Sequence, residues 1–199
     1  MQKRPIARGN RAARRSGSAP TAVFLVGFMG AGKTTVGRLM AEKLGWEFSD
    51  LDECIERRAG RSVASIFRAS GEAAFRDLEH SELRRLIASA RSGGGLIAAL
   101  GGGAMAQPRN LSLLRRHDFP VVYLDAPVET LRRRCVRQAR LAGTRRPLLG
   151  TASEFRDRYA RRRQFYRQAS LRKLTTGRRP STIATQLIAT LRLAPAGRG

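Results

Sequence analysis

The chain has 199 residues, with 39 Lys/Arg against 15 Asp/Glu, a net charge of +24 and two cysteines. That length suits one domain with a full hydrophobic core plus a tail, and no apolar run approaches the roughly 18–20 residues needed to span a membrane. Cys54 and Cys135 form no C-x-x-C and His80 and His117 stand apart, which argues against a zinc site and leaves both thiols reduced and structural, as expected of a cytoplasmic protein.

The charge is unevenly spread. Residues 1–20 hold six Lys/Arg and no acid, and residues 132–179 hold seventeen against Glu154 and Asp157, so these two stretches carry 21 of the 24 charges. Such a field attracts polyanions, nucleic acid included but only non-specifically, and steers phosphorylated or carboxylated small molecules. Residues 1–20 lack the apolar stretch of a secretory signal; they share composition with an organelle transit peptide and are read here as a basic disordered extension.

From residue 21 onward, apolar runs alternate with helical patterns, the arrangement of a parallel α/β sheet. The first run, Ala22–Val26, reads as a buried strand, and Thr34–Leu44 as a helix with Val36, Leu39, Met40 and Leu44 on one face. Between them Gly27-Phe28-Met29-Gly30-Ala31-Gly32-Lys33-Thr34 fits the spacing G-x-x-x-x-G-K-[ST] of a phosphate-cradling P-loop. Glycines let backbone N–H groups wrap phosphate oxygens at the positive end of the helix, Lys33 would reach the β/γ-phosphates, and the Thr34 hydroxyl would ligate Mg²⁺.

A short strand over Trp46–Ser49 leads into Asp50-Leu51-Asp52 and a helix over Asp52–Ala59. Two carboxylates at i and i+2, at a strand's carboxyl end beside a P-loop, can complete a metal's shell through water and accept a proton from an attacking hydroxyl; alternatively, either one simply caps the helix. Two helices follow, Ser62–Ala69 and Gly71–Ala90, the second carrying Arg76, which by itself reads as a surface residue paired with Glu72 or Glu79. Gly93-Gly94-Gly95 reads as a flexible join into the strand Leu96–Leu100, and Gly101-Gly102-Gly103 after that strand permits close backbone approach to a ligand and a turn with positive φ. The helix Arg109–Arg115, the strand Phe119–Leu124 and the helix Val128–Arg140 come next. The Gly/Pro-bounded basic loop Gly143–Gly150 is of the kind that closes over phosphates. Helix Ser153–Ala169, a weak strand Arg172–Thr175, helix Ser181–Leu193 and a frayed Ala194–Gly199 complete the chain.

Taken together, these stretches resemble shikimate kinase: G-F-M-G-A-G-K-T-T-V-G-R (Gly27–Arg38), F-S-D-L-D-E-C-I-E (Phe48–Glu56), G-R-S-V-A-S-I-F (Gly60–Phe67), G-E-A-A-F-R-D-L-E (Gly71–Glu79), L-G-G-G-A (Leu100–Ala104), R-P-L-L (Arg146–Leu149) and R-R-R-Q-F-Y (Arg161–Tyr166). They occur in the family's order over roughly residues 22–190. The resemblance implies a three-layer P-loop kinase fold, a five-stranded parallel sheet of order 2-3-1-4-5 flanked by helices, over residues 21–193 with a mobile lid near 138–152. It implies phosphorylation of the shikimate 3-hydroxyl, with ATP as co-substrate and Mg²⁺ as cofactor, in a cytoplasmic and monomeric enzyme. By the same resemblance Gly30, Ala31, Gly32, Lys33, Thr34 and Thr35 hold the ATP phosphates, with Thr34 and Asp50 on the metal. Asp52 matches the aspartate that binds the substrate hydroxyls and serves as candidate base. Arg76 and Arg162 match the arginines that grip the shikimate carboxylate, and Gly101, Gly102 and Gly103 the glycines of the substrate pocket. Arg146 matches the lid arginine that approaches the transferring phosphoryl. Arg161 and Arg163 flank Arg162, so a slip of one residue is open. A further family arginine ahead of the lid falls at Arg137 or Arg140, and the adenine-contacting stretch near Thr176–Pro180. The rival readings are another small-molecule P-loop kinase, such as a gluconate kinase, and a ligand-sensing domain of a DNA-binding regulator.

Overall fold

A computed structural model describes residues 20–141 and 149–196. The basic extension (1–19), most of the expected lid (142–148, Arg146 included) and residues 197–199 lie outside the described part. Five parallel strands, β1 (Ala22–Val26), β2 (Glu47–Asp50), β3 (Leu96–Ala99), β4 (Val121–Asp125) and β5 (Leu171–Leu174), form one sheet in the order β2-β3-β1-β4-β5. The helices described are α1 (Lys33–Leu44), α2 (Leu51–Ala59), α3 (Val63–Arg91), α4 (Pro108–Arg116), α5 (Val128–Leu141), α6 (Ala152–Tyr166) and α7 (Pro180–Leu191), with a 3-10 turn at Ala104–Ala106.

The central strands are apolar on both faces because helices cover both. Every residue of β1, β3 and β4 is buried, whereas the edge strands β2 and β5 are only partly covered. Removing side chains such as Phe24, Leu25, Ile97 and Leu124 from water stabilises the fold by about 1.5–3 kcal/mol each.

The register decides where the site can form. Ala99 of β3 pairs with Leu25 of β1 on one side and Asp50 of β2 on the other. The chain therefore leaves three neighbouring strands at one edge, into the P-loop, the Asp50–Asp52 stretch and the glycine loop. Ligands bind at this edge of open α/β sheets.

Several sequence expectations shift. The helices expected at Ser62–Ala69 and Gly71–Ala90 run together as α3, kinked at Gly71 (φ 77°, ψ 178°), where only glycine takes the left-handed backbone at little cost. Gly95 is more than a flexible join: it is buried with φ 73°, and a Cβ there would fall 2.6 Å from the Trp46 ring. Residues 138–141 are the last turn of α5 and Ala152 begins α6, so the ends of the expected lid are helical. Part of the tail is tied down: the Ala196 N–H donates to the Leu44 carbonyl at 2.8 Å.

Candidate active site

The P-loop is a main-chain construction. Gly32, at φ 95°, is the N-cap of α1 and provides no side-chain cap, and the first turn carries no acid, so the helix's leading N–H groups remain available to an anion. Gly27 (φ 147°) passes so close to β4 that a Cβ would sit 2.5 Å from the Leu124 carbonyl oxygen. A Cβ on Gly30 (φ 78°) would meet the Leu131 carbonyl at 2.7 Å and Cys135 Sγ at 2.9 Å on α5. Lys33 Nζ donates to the Gly27 carbonyl at 3.0 Å. Burial pulls its pKa below the ordinary lysine value, against the opposing charges of Asp52 and Asp50. Within the loop Ala31 is buried, and Thr35 is exposed on α1.

Asp50, not Asp52, caps α2. One of its carboxylate oxygens accepts from the Asp52 N–H at 3.1 Å, and the other from the Thr34 hydroxyl at 2.9 Å. Asp52 is thereby freed of capping duty and sits in the first turn. Burial, reinforced by the charge of Asp50, pushes its carboxyl pKa up from the ordinary value, against the pull of Lys33.

The glycine loop interleaves with three charged side chains. A Cβ on Gly101 would lie 2.6 Å from Asp52 Oδ1, one on Gly102 3.0 Å from Arg162 Nη1, and one on Gly103 2.7 Å from Arg76 Nη1. None of the three takes a positive φ, so the expected left-handed turn is absent and close approach alone demands glycine. Side chains from α2, α6 and α3 thus converge on one short piece of backbone.

Arg76 is no solvated residue. Its side chain is 13% exposed, with Nη1 on Glu79 at 3.0 Å and Nη2 on Glu72 at 2.9 Å, and Glu79 itself is 1% exposed. Asn110 of α4 donates to Glu79 at 3.3 Å and accepts from His80, so His80 does not stand apart as the sequence suggested.

Helical spacing separates the three consecutive arginines of α6, Arg161, Arg162 and Arg163. Phe155, Tyr159, Arg162 and Tyr166 share the inner face: Phe155 and Tyr159 pack edge-on against Phe28 of the P-loop at 5.1 and 5.5 Å, and Tyr166 donates its hydroxyl to the Gly102 carbonyl. Burial pushes the Tyr166 phenol to about 12 despite the charge of Arg162, keeping it a donor. Arg163 turns instead toward Tyr159 and Asp125, and Arg161 is exposed.

Behind α6, buried Asp125 accepts from Tyr123 at 2.6 Å and from Arg172 at 2.9 and 2.6 Å. Burial would raise its pKa, but these donors and the charge of Arg172 outweigh it and hold the carboxyl below the ordinary value.

A cavity of about 350 Å³ opens beside the P-loop, lined among others by Gly30, Gly32, Thr35, Arg134, Thr175 and Pro180. Arg134 spans it, donating to the Gly30 carbonyl at 3.3 Å and to the Thr175 hydroxyl and carbonyl at 3.0 and 2.8 Å. Arg137 lines this cavity too, whereas Arg140 lines a separate groove on the outer face of α5. Sequence reading missed Arg134 because five arginines crowd α5 and only the contact to Thr175, 41 residues away, singles it out. Among the described residues no cluster of three or more His, Cys, Asp or Glu could hold a metal, and no helix is long and apolar enough to cross a membrane.

The chain is similar to known proteins over most of its length. A family model described as shikimate kinase matches residues 29–192. The shikimate kinase of Persephonella marina is 37% identical over 171 residues, covering 85% of this chain and 98% of the relative. That of Symbiobacterium thermophilum is 45% identical over 161 residues, covering 79% and 87%. Among solved structures, shikimate kinase from Acinetobacter baumannii in complex with shikimate superposes with a TM-score of 0.74 at 37% identity, covering 86% of this chain and 92% of that one. A tunicamycin resistance protein from Deinococcus radiodurans, at 21% identity and a TM-score of 0.62, shares the fold alone.

Proposed function

The chain belongs to the shikimate kinase family, and on that premise we propose that it transfers the γ-phosphoryl of ATP to the 3-hydroxyl of shikimate. The products are shikimate 3-phosphate and ADP, a step of chorismate biosynthesis. The single observation that carries the acceptor side is the interleaving of Gly101, Gly102 and Gly103 with Asp52, Arg162 and Arg76. It provides one carboxylate for a hydroxyl and two guanidiniums for a carboxylate, converging from three helices. The shikimate bound to the Acinetobacter baumannii relative supports the same acceptor.

In this reading Gly30–Thr35 hold the ATP phosphates, with Lys33 released from the Gly27 carbonyl onto the β/γ-phosphates. Phosphoryl transfer passes through a loose transition state, so positioning and charge stabilisation supply most of the rate. Arg76 and Arg162 anchor the acceptor carboxylate through bidentate geometry that lysine could not reproduce. Asp52 orients the 3-hydroxyl and takes its proton as the bond to phosphorus forms; its raised pKa brings it nearer to neutral-pH base chemistry. Arg146 is assigned by its place in R-P-L-L to the transferring phosphoryl. Arg134 and Thr175 border the space for the base and ribose.

Mg²⁺, when bound, would neutralise charge on the β/γ oxygens. Thr34 and Asp50 fit it: a hydroxyl and a carboxylate oxygen 2.9 Å apart offer a partial oxygen set, and Mg²⁺ takes its other ligands from phosphates and water. We read the enzyme as monomeric and cytoplasmic; two cysteines that form no disulfide agree with a reducing compartment.

A coupled ADP-release assay offering shikimate, quinate and gluconate tests the reading. Turnover with shikimate at least about tenfold above the others is expected; preference for gluconate would overturn it.

A further inference from the structure

Asn110 has no place in the chemistry above, yet it is fully buried on α4 and uses its whole amide. Its Nδ2 donates to Glu79 Oε2 at 3.3 Å and to the Ala104 carbonyl at 3.2 Å, and its Oδ1 faces His80 Nδ1 at 2.8 Å. Because both amide hydrogens point to acceptors, the oxygen must be the acceptor from His80, so the network assigns the imidazole hydrogen to Nδ1.

The two acceptors matter for where they sit. Glu79 holds Arg76 through both carboxylate oxygens, at 3.0 and 3.1 Å. Ala104 directly follows Gly103, the glycine against which the Arg76 guanidinium packs. One amide therefore grips both the carboxylate that aims Arg76 and the loop that Arg76 lies against, while His80, on the same helix as Arg76 and Glu79, fixes which way that amide points. A buried amide shared in this way sets spacing more rigidly than either contact alone.

We infer that Asn110, oriented by His80, is a positioning residue that holds Arg76 and the Gly101–Gly103 loop at the separation needed to receive the acceptor's carboxylate. The inference rests on the reading above, in which Arg76 binds that carboxylate. Asn110 touches neither substrate, so its loss weakens acceptor binding in ground and transition states alike and leaves the chemical step alone.

The test is a double-mutant cycle on the full chain, with steady-state kinetics for both substrates. Asn110→Ala should raise the KM for shikimate about tenfold, the scale of one lost buried hydrogen bond to a charged group, with kcat and the KM for ATP within about twofold of the parent. In an Arg76→Met background the same change should add less than about twofold, because its effect runs through Arg76. A rise of equal size in that background, a parallel rise in both KM values, or an unchanged shikimate KM overturns the inference. His80→Ala is the gentler second variant if Asn110→Ala does not fold: it releases the amide to flip and should raise the shikimate KM about threefold with the same dependence on Arg76. No change in its shikimate KM also overturns the inference. Arg76→Met alone separates the two levels. If it leaves the shikimate KM unchanged, the acceptor reading of Arg76 falls and this inference falls with it. If it raises that KM strongly while Asn110→Ala does not, only the positioning role is lost.

Discussion

The donor and acceptor halves of the site both depend on glycine, but for different neighbours. In the P-loop, Gly27 and Gly30 clear main-chain carbonyls, Leu124 and Leu131, and both have positive φ. In the acceptor loop, Gly101, Gly102 and Gly103 clear the ends of functional side chains and take ordinary backbone angles. Main chain cannot step aside, whereas a carboxylate or guanidinium can. A methyl group in the first half should therefore strain the fold, and one in the second should displace the chemistry while sparing the fold.

Asp52 faces both halves, the charge of Lys33 on one side and the Gly101 backbone on the other, and should give the largest effect. Asp52→Asn keeps the shape beside Gly101 but removes the base, and kcat should fall by about 10²–10⁴ with ATP binding, read by calorimetry, unchanged. The same variant should melt higher than the parent at pH 7 without substrates. The Asp52 pKa is raised above its ordinary 3.8 by burial and by Asp50, so between that value and the folded one the native state holds more protons than the unfolded state. Stability then declines as pH rises through this window, and the deficit is complete above it; asparagine removes it. In the parent, kcat should drop on the acid side at a pH above the usual carboxylate range, and that limb should vanish in Asp52→Asn. A lower melting temperature or near-normal turnover would break the assignment.

Next in size is a crossed pair. Gly30→Ala places a methyl against the Leu131 carbonyl at a φ of 78°; the left-handed backbone alone costs about 1–2 kcal/mol. Its melting temperature should fall and its KM for ATP rise about tenfold or more, with the shikimate KM little changed. Gly103→Ala presses on Arg76 Nη1 and Nη2 at 2.7 and 2.8 Å. It should raise the shikimate KM about tenfold and leave both the ATP KM and the melting temperature near the parent. Thermal melts and paired KM values decide, and an exchange of the two patterns would dissolve the distinction.

The same contrast governs what the chain discloses before folding. Gly27–Thr34 and the strand and helix around it are contiguous, so spacing and periodicity alone announce the cradle. The acceptor half is assembled from α2, α3, α6 and the turn after β3, and only the resemblance to a family joined Asp52, Arg76, Arg162 and the glycines. Residues whose signal is purely tertiary stayed hidden. Asn110 is one asparagine in an amphipathic helix until it meets Glu79, 31 positions away. Arg76 looked solvated because nothing local reveals that Glu79 is buried. Which aspartate caps α2 stayed open because either satisfies the local rule; in the fold Asp50 takes the Asp52 N–H and also the Thr34 hydroxyl.

Gly102→Ala should give the smallest effect, and it probes the comparison most finely. The methyl would lie 3.0 Å from Arg162 Nη1 and 3.5 Å from the Tyr166 hydroxyl, the first tight and the second ordinary contact. Arg162 reaches the loop from α6 through a long side chain, so its guanidinium can move by a few tenths of an ångström through small torsional adjustments. Tyr166 meets the new methyl only at ordinary contact distance and can keep its hydroxyl on the Gly102 carbonyl. The shikimate KM should therefore rise about two- to threefold, with kcat and thermal stability unchanged. If Gly102→Ala instead matches Gly103→Ala, Arg162 is as tightly held as Arg76. The difference between an arginine braced by the carboxylates of Glu72 and Glu79 and one hydrogen-bonded to the Tyr166 hydroxyl would then no longer explain the pocket.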